Sequence, residues 1–442
     1  MAGKRKMKTN LAVWLSGNRV ALIGLLLLVG LAAACVGEGK EEATPGATGT
    51  VARLAGTAAA STGEVPGITP NEIVLGQHAP LSGGLGAVYA QVPDAQQAYY
   101  RYVNEEKGGV CGRKIVLRVE DDAGDPARAL EVTRKLVEQD KVFAMVGSLG
   151  DVNHGAVWDY LNQKGVPDLL IIAGAHRFSS DPEGHPWTVQ MIPDYTVEGS
   201  FYGRYISQEW PGKKVAVLYE NDDTGRDGLA GVKKGLDSNK NEIVSEQPYE
   251  ATAIDIRPQL VAMKDAGAEV VVLYSTIGFT AQAIKGADRM GWKPQFMTGY
   301  VNSDAILFQF VPPKLAAGLI SFQCCKMPDW TDDPAVAEHR RIMSQYGGPT
   351  PSTFSIVAHV LAELMVDILS RSCDNLTREG VMRTTLNDIR DWHSDLLVQG
   401  ATVTITDKDR RVLETGPMER VVEENGKGRW EYFGGLWEFR EE

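Results

Sequence analysis

The sequence predicts an α/β protein of two doubly wound lobes, each a parallel sheet with helices on both faces. Three observations predict it. Short apolar runs of strand length alternate with helical stretches from Glu72 to Ile172. The runs are near-continuously apolar, as in VVVLY over Val270–Tyr274, which is the pattern of strands buried on both faces. The alternation starts afresh after Asp194, and removing a leader of residues 1–34 from the 442 leaves 408. That exceeds the ~250–300 residues at which one core usually divides.

Glu72–Gly76 reads as a buried strand, followed by a Gly- and Ser-rich loop over His78–Gly86. A helix then runs through Val103, because Ala95, Ala98, Tyr99, Tyr102 and Val103 share one helical face, and Gly108-Gly109 stops it. Lys114–Val119 is the next strand. Asp125 is placed as an N-cap with Pro126 at the first helical position, and Ala129, Val132, Leu136 and Val137 line that helix. Val142–Val146 and Asp168–Ile172 are further strands. After Asp194 come a strand at Lys214–Tyr219, helices at Gly225–Leu236 and Ile256–Ala266, and a strand at Val270–Tyr274. A helix at Phe279–Met290 and a strand at Gln295–Thr298 follow. The tail from Ala401 to Phe439 is strand-like, with turns at Asp407-Lys408-Asp409 and Glu424-Asn425-Gly426.

The N-terminus sets the address. Five positive charges (Lys4, Arg5, Lys6, Lys8, Arg19) and no acid precede the apolar run Ala21–Ala34, which ends in three alanines before Cys35. That is the order of a secretory signal. A membrane-spanning helix needs ~20 apolar residues, so cleavage is expected over spanning. The cysteine after small residues resembles the lipobox of bacterial lipoproteins, which implies acylation of Cys35. The leucine preferred there stands at Leu31, one place further out than usual. An ordinary signal peptide or an uncleaved anchor is the other reading. Residues 1–34 are thus the signal and 35–69 a disordered tether, since Val36–Gly67 is rich in Gly, Ala, Thr, Ser and Glu and lacks apolar bulk.

Losing five positive charges takes the net charge from −12 to −17, which argues against nucleic acid as a partner. No second apolar run is expected to approach the ~20 residues of a further span. Besides Cys35 there are four cysteines, Cys111, Cys324, Cys325 and Cys373, open to disulfides in an exported chain. Cys324 and Cys325 are adjacent and not expected to pair together, so the expected bridge joins one of them to Cys373. No metal is expected, because the paired CxxC or HxxxH spacings of zinc sites are lacking.

In a doubly wound fold ligands bind outside the carboxyl ends of parallel strands, where helix N-termini offer free N–H groups. Those ends bring together Ser82, Ser148, Asp151, Asn153 and His176 in the first lobe. The second offers Asp223, Thr224, Ser275, Thr276 and Tyr300, with Asp194 between the lobes. Each has a structural reading beside the functional one. Ser82, Asp151 and Asp194 suit helix caps, His176 a surface loop, Tyr300 a core position, and Asp121 and Asp122 are read as structural.

Four segments then resemble one family in order and spacing: Gly112–Gly150 (GRKIVLRVEDDAGDPARALEVTRKLVEQDKVFAMVGSLG), Val166–His176, Met191–Ile206 and Lys214–Gly228. They resemble the leucine/isoleucine/valine-binding proteins. The resemblance, covering Ile73 to the C-terminus, implies a type I periplasmic binding fold. Its two lobes close on a ligand about a three-strand hinge. Crossings are expected near Pro193–Asp194, Leu319–Gln323 and Gln399–Thr402. Lobe 1 is then 70–193 plus 320–390, with a helix over Ile356–Ser370, and lobe 2 is 194–319 plus 391–442. In that family a serine and a threonine hold the ligand carboxylate, while an aspartate and a glutamate hold its ammonium. Asp194 matches the aspartate. The serine falls on Asp151, the threonine on His176 and the glutamate near Tyr300. Asn153 or Ser148 serves as the serine if the register differs by one or two residues. Asp151 would repel a carboxylate, which weakens a branched-chain amino acid as ligand and leaves amide, amine, polyol and aromatic compounds open.

The resemblance implies a solute-binding lipoprotein of an ABC importer that captures a small polar molecule such as an amino acid, amide, polyol or aromatic acid. It is expected to be monomeric, to use no cofactor, to dock on a membrane permease, and to sit on the outer face of the cytoplasmic membrane. A tethered sensor presenting solute to a separate receptor is the alternative. A receptor ectodomain would carry a membrane span after the domain, and the sequence shows none before Glu442. A secreted hydrolase is disfavoured: HExxH is absent, and Val146-Gly147-Ser148-Leu149-Gly150 lacks the first glycine of GxSxG.

Overall fold

The computed structural model describes residues 64–438. The expected signal, Cys35 and most of the tether lie outside the described residues. Five parallel strands form one sheet: β1 (Glu72–Ala79), β2 (Lys114–Asp121), β3 (Ala144–Val146), β4 (Asp168–Ile171) and β5 (Thr188–Gln190), in the order β2-β1-β3-β4-β5. Seven form the other: β6 (Lys214–Glu220), β7 (Glu242–Tyr249), β8 (Val270–Tyr274), β9 (Gln295–Thr298), β10 (Ile320–Phe322), β11 (Thr415–Glu424) and β12 (Lys427–Glu438). Their order is β12-β11-β10-β9-β8-β6-β7, parallel except for β11, which runs antiparallel to both β10 and β12 and forms with β12 the hairpin that closes one edge. Both sheets reverse direction at their first strand, so each has a switch point where loops diverge.

Three strands escape the hydropathy reading. β5 and β10 are three residues each, and β7, an edge strand, is mostly half-exposed and carries no apolar run. β1 runs three residues past Gly76, through the fully buried Gln77 and His78. These polar residues belong in a strand because partners satisfy them. His78 Nδ1 meets Asp122 Oδ2 at 2.8 Å, His78 Nε2 meets His154 Nδ1 at 3.3 Å, and His154 Nε2 meets Asp168 Oδ2 at 2.9 Å. Burial pushes the His78 imidazole down, opposed by its hydrogen bond to Asp122.

The chain passes between the sheets three times. The first passage, at Met191–Asp194, leads into the helix Tyr195–Glu209. The second leaves β10 through Gln323–Cys325, where Cys325 bridges Leu397. The third lies later than the expected Gln399–Thr402. Gln190 N–H donates to Arg410 O at 2.9 Å and Leu413 N–H to Met191 O at 3.0 Å. Residues 391–409 therefore stay beside the first sheet rather than joining lobe 2. They form a loop closed by the Trp392–Val403 bridge, and its apolar spacing imitates a strand.

Three helices return to the first lobe: Pro334–Gln345, Thr353–Arg371 and Arg378–Asp388. The 19-residue helix Thr353–Arg371 corrects the expectation that no further run approaches spanning length. Its best window has a mean hydropathy of 1.6, but 72% of that window is buried in the protein, so it is a core helix. The disulfide also differs from expectation. Cys373 pairs with Cys111, not with Cys324 or Cys325, which are buried free thiols 3.6 Å apart. The chain brings the end of the helix Thr353–Arg371 to the turn after the helix Gln91–Glu106, a proximity set by packing across 262 residues.

Candidate ligand-binding site

The carboxyl ends of both sheets face one cavity of about 320 Å³. From the first lobe it takes residues after β1, β3 and β4 and the start of the helix Thr353–Arg371. From the second it takes residues after β6, β7, β8 and β9. Its walls are largely aromatic and aliphatic. Tyr89 and Phe354 pack edge to face with centroids 5.4 Å apart, and Tyr195 and Tyr274 at 6.4 Å. Tyr274 fits only because Gly228 faces it. A Cβ on Gly228 would stand 2.3 Å from the ring.

Six of the expected residues line this cavity: Asp151, Asn153, Thr224, Ser275, Thr276 and Tyr300. Gly150, at φ 100°, turns the chain so that Asp151 opens the short helix Asp151–Gly155. Asp151 spans the cleft. Its Oδ1 accepts the Ala175 N–H at 2.7 Å, and its Oδ2 accepts the Thr224 hydroxyl at 2.9 Å and the Tyr195 hydroxyl at 3.4 Å. Burial pushes the Asp151 carboxyl up to about 6 despite those donors, and the charge of Asp222 adds to the shift. Ser275 Oγ is held by Thr280 at 2.8 Å. The Tyr300 N–H donates to Glu198 Oε1 at 2.6 Å, and its hydroxyl lies 3.7 Å from Cys324 Sγ.

Five expected residues do not line it, one of them Asp223, which pairs with Arg177 at 3.1 Å. Ser82 is exposed and donates to Asp121 Oδ2 at 2.7 Å. Together with the N–H groups of Leu81 and Ala123 and the charge of Arg128, it holds Asp121 down to about 2 against the opposing effect of burial. Ser148 lies wholly within the core, its hydroxyl without a partner among the described residues. His176 and Asp194 hold each other, Nδ1 to Oδ2 at 2.8 Å. Asp194 is 1% exposed and also accepts the Ser179 hydroxyl at 2.6 Å and the Thr196 N–H at 2.8 Å, as N-cap of the helix Tyr195–Glu209. Burial would raise its carboxyl, but hydrogen bond and charge from His176, with Ser179 and Val197, hold it below the usual range.

The same strand ends supply two acids beyond the expected set. Glu220 closes β6 and Asp222 caps the helix Asp223–Gly235, and both line the cavity. Burial pushes Glu220 up to about 7, helped by the charge of Asp222 and opposed by the Tyr249 hydroxyl. Burial raises Asp222 as well. The signal available in the sequence was position: both follow the apolar core of β6, as Asp151 follows β3. Tyr89, Tyr195 and Phe354 carried no such signal, because an aromatic on a helix face reads as core. None of the described lining residues is Lys, Arg or His, and the described residues hold no cluster of three metal-ligating side chains.

Besides Asp151–Thr224, the lobes touch through the His176 N–H to Asp227 Oδ2 at 2.8 Å and the Arg177–Asp223 ion pair at 3.1 Å. The Thr353 N–H donates to Asp304 Oδ2 at 2.8 Å. Two doubly wound lobes joined by three strands around a shared cavity make this a type I periplasmic binding fold. The profile described as "Periplasmic binding protein" matches residues 72–425, and the chain belongs to that family. Among its relatives is the Leu/Ile/Val-binding protein homolog 1 of Brucella abortus (strain 2308), 23% identical over 332 residues, covering 72% of this chain and 85% of the relative. The fold is shared with a branched-chain amino acid ABC transporter protein from Thermus thermophilus with bound valine. The TM-score is 0.73 at 18% identity, over 83% of this chain and 98% of that one. It is shared too with a solute binding protein of an ABC transporter from Rhodopseudomonas palustris BisB5 in complex with 3,4-dihydroxy benzoic acid. There the TM-score is 0.70 at 19% identity, over 84% and 98% of the two chains.

Proposed function

We propose that this protein is the solute-binding component of an ABC importer, a non-enzymatic lipoprotein. Residues 1–34 direct export, acylated Cys35 anchors the chain to the outer face of the cytoplasmic membrane, and residues 35–69 tether it. The observation that carries this reading is the cavity shared by the strand ends of two lobes in a family of solute binders. A small molecule there is gripped from both sides and holds the lobes together, and the closed form docks on a separate permease. Of the residues expected to contact solute, Asp151, Asn153, Thr224, Ser275 and Tyr300 are supported by their place in the cavity wall. Asp194 is supported as the residue that fixes the first passage.

The test is a melting series against amino acids, amides, amines, polyols and aromatic acids, because a ligand that binds only the folded state raises its melting temperature. A rise of several degrees confined to one chemical class is expected. An unchanged melt across the whole panel removes the solute-binding reading. The anchor is tested separately: Cys35→Ala moves the protein from the membrane to the soluble fraction with solute binding unchanged.

A further inference from the structure

We infer that the ligand is an organic cation, an amine with an apolar body and no carboxylate; this rests on the solute-binding reading above. Three carboxylates, Asp151, Glu220 and Asp222, enter one cavity whose described lining holds no basic side chain. Glu220 gives one oxygen to the Tyr249 hydroxyl at 2.8 Å, and Asp222 gives one to the Gly225 N–H at 3.0 Å. The other oxygen of each has no hydrogen-bond partner among the described residues and is available to an ammonium group.

Two groups at the lobe interface that would receive an anion, the Ala175 N–H and the Thr224 hydroxyl, are taken. Asp151 accepts the loop N–H of Ala175 and the Thr224 hydroxyl with its two oxygens, so the protein's own carboxylate occupies the donors at the lobe interface. Arg177 hydrogen-bonds the Asp151 carbonyl at 3.2 Å but turns its guanidinium to Asp223 and is not part of the wall. A ligand carboxylate would meet three acids and no cation. An ammonium would meet acids and the rings of Tyr89, Tyr195 and Tyr274, aromatic groups whose quadrupoles attract cations. Tyr274, 2% exposed, lines the same cavity with its hydroxyl unpartnered among the described residues. The remaining walls, such as Val92, Ile192 and Val357, are aliphatic and suit an apolar body.

Two matched sets of probes test this on the purified full chain, by melting and titration calorimetry. One is 2-phenylethylamine, L-phenylalanine and 3-phenylpropionate; the other is 3-methylbutylamine, L-leucine and 4-methylpentanoate. Within each set the skeleton is constant and only the charged groups change. The expected result is that at least one amine binds tenfold or more tightly than its amino acid, with no detectable binding of its acid. Glu220→Gln and Asp222→Asn should each weaken that amine about tenfold. An amino acid or acid that binds as tightly as its amine overturns the inference and leaves solute binding intact. So does a bound amine whose affinity neither substitution changes. If neither amine binds, the inference also fails. The wider solute panel then decides the general reading on its own, a shift there keeping it and a flat response removing it.

Discussion

Asp194 shows how one residue's role depends on what surrounds it. By position it matches a ligand-binding aspartate, yet it is saturated by His176, Ser179 and a helix N-terminus and is sealed from the cavity. Losing an N-cap costs about 0.5–2 kcal/mol, and stranding buried polar partners adds about 1–3 kcal/mol. Asp194→Ala should therefore lower the unfolding free energy of the unliganded protein by roughly 1.5–5 kcal/mol, read as a lower midpoint in urea unfolding. A midpoint equal to wild type would return Asp194 to a ligand role. Glu220 makes a prediction about pH. Its folded pKa, about 7, lies above the ~4.3 of an unfolded glutamate, so the folded state holds the proton more tightly. The stability this contributes is complete below about pH 4 and is lost as pH rises through 7. Asp151, Asp222, Glu250 and the Tyr249 hydroxyl act on this carboxyl. Relative to Glu220→Gln, the wild-type melting temperature should fall steadily between pH 4 and 8. A constant difference would mean that Glu220 is not buried among acids.

At the scale of elements, the second lobe depends on close contact between the helices Tyr195–Glu209 and Asp223–Gly235. A Cβ on Gly231 would stand 2.2 Å from the Thr196 carbonyl, and one on Gly235 would stand 1.8 Å from that of Ser200. The backbones touch because glycines face them, and this contact places Tyr195, Asp222 and Thr224 at the cavity together. Overpacking of this kind costs about 1–3 kcal/mol or more. Gly231→Val should lower stability by at least that much, measured by urea unfolding, and weaken solute binding with it. Loss of neither would show that the helices can separate freely. Strands with continuous apolar runs, such as β6 and β8, were legible in sequence because burial on both faces leaves a compositional mark. The edge strand β7 and the three-residue β5 and β10 were not, since their places come from neighbours that the chain supplies elsewhere.

Across the whole molecule, two features join distant parts of the chain. The Cys111–Cys373 disulfide closes a loop of 262 residues that runs through both lobes. Removing a native disulfide costs about 2–5 kcal/mol in small secreted domains. Cys111→Ala should lower the melting temperature measurably, and a melt that does not move would show the bridge to be dispensable. The lobes are the second feature. Asp151–Thr224, Arg177–Asp223 and Thr353–Asp304 reach across the cleft, and solute held between them adds to the same closed arrangement. Thr224→Val should shift the protein toward an open form in small-angle scattering and weaken solute binding several-fold. Unchanged scattering and affinity would place closure elsewhere.

The sequence by itself determined the class of fold and which strand ends face the cavity, because buried parallel strands and helix starts each write a local pattern, and the resemblance of four of its segments pointed to the family. Only the tertiary structure decided that Cys373 pairs with Cys111, that Asp194 is sealed away, and that Asp151, Glu220 and Asp222 stand with aromatic rings around one space. Those outcomes depend on distances between residues far apart in the chain. Such distances are fixed by how helices and sheets pack, and local spacing does not encode them.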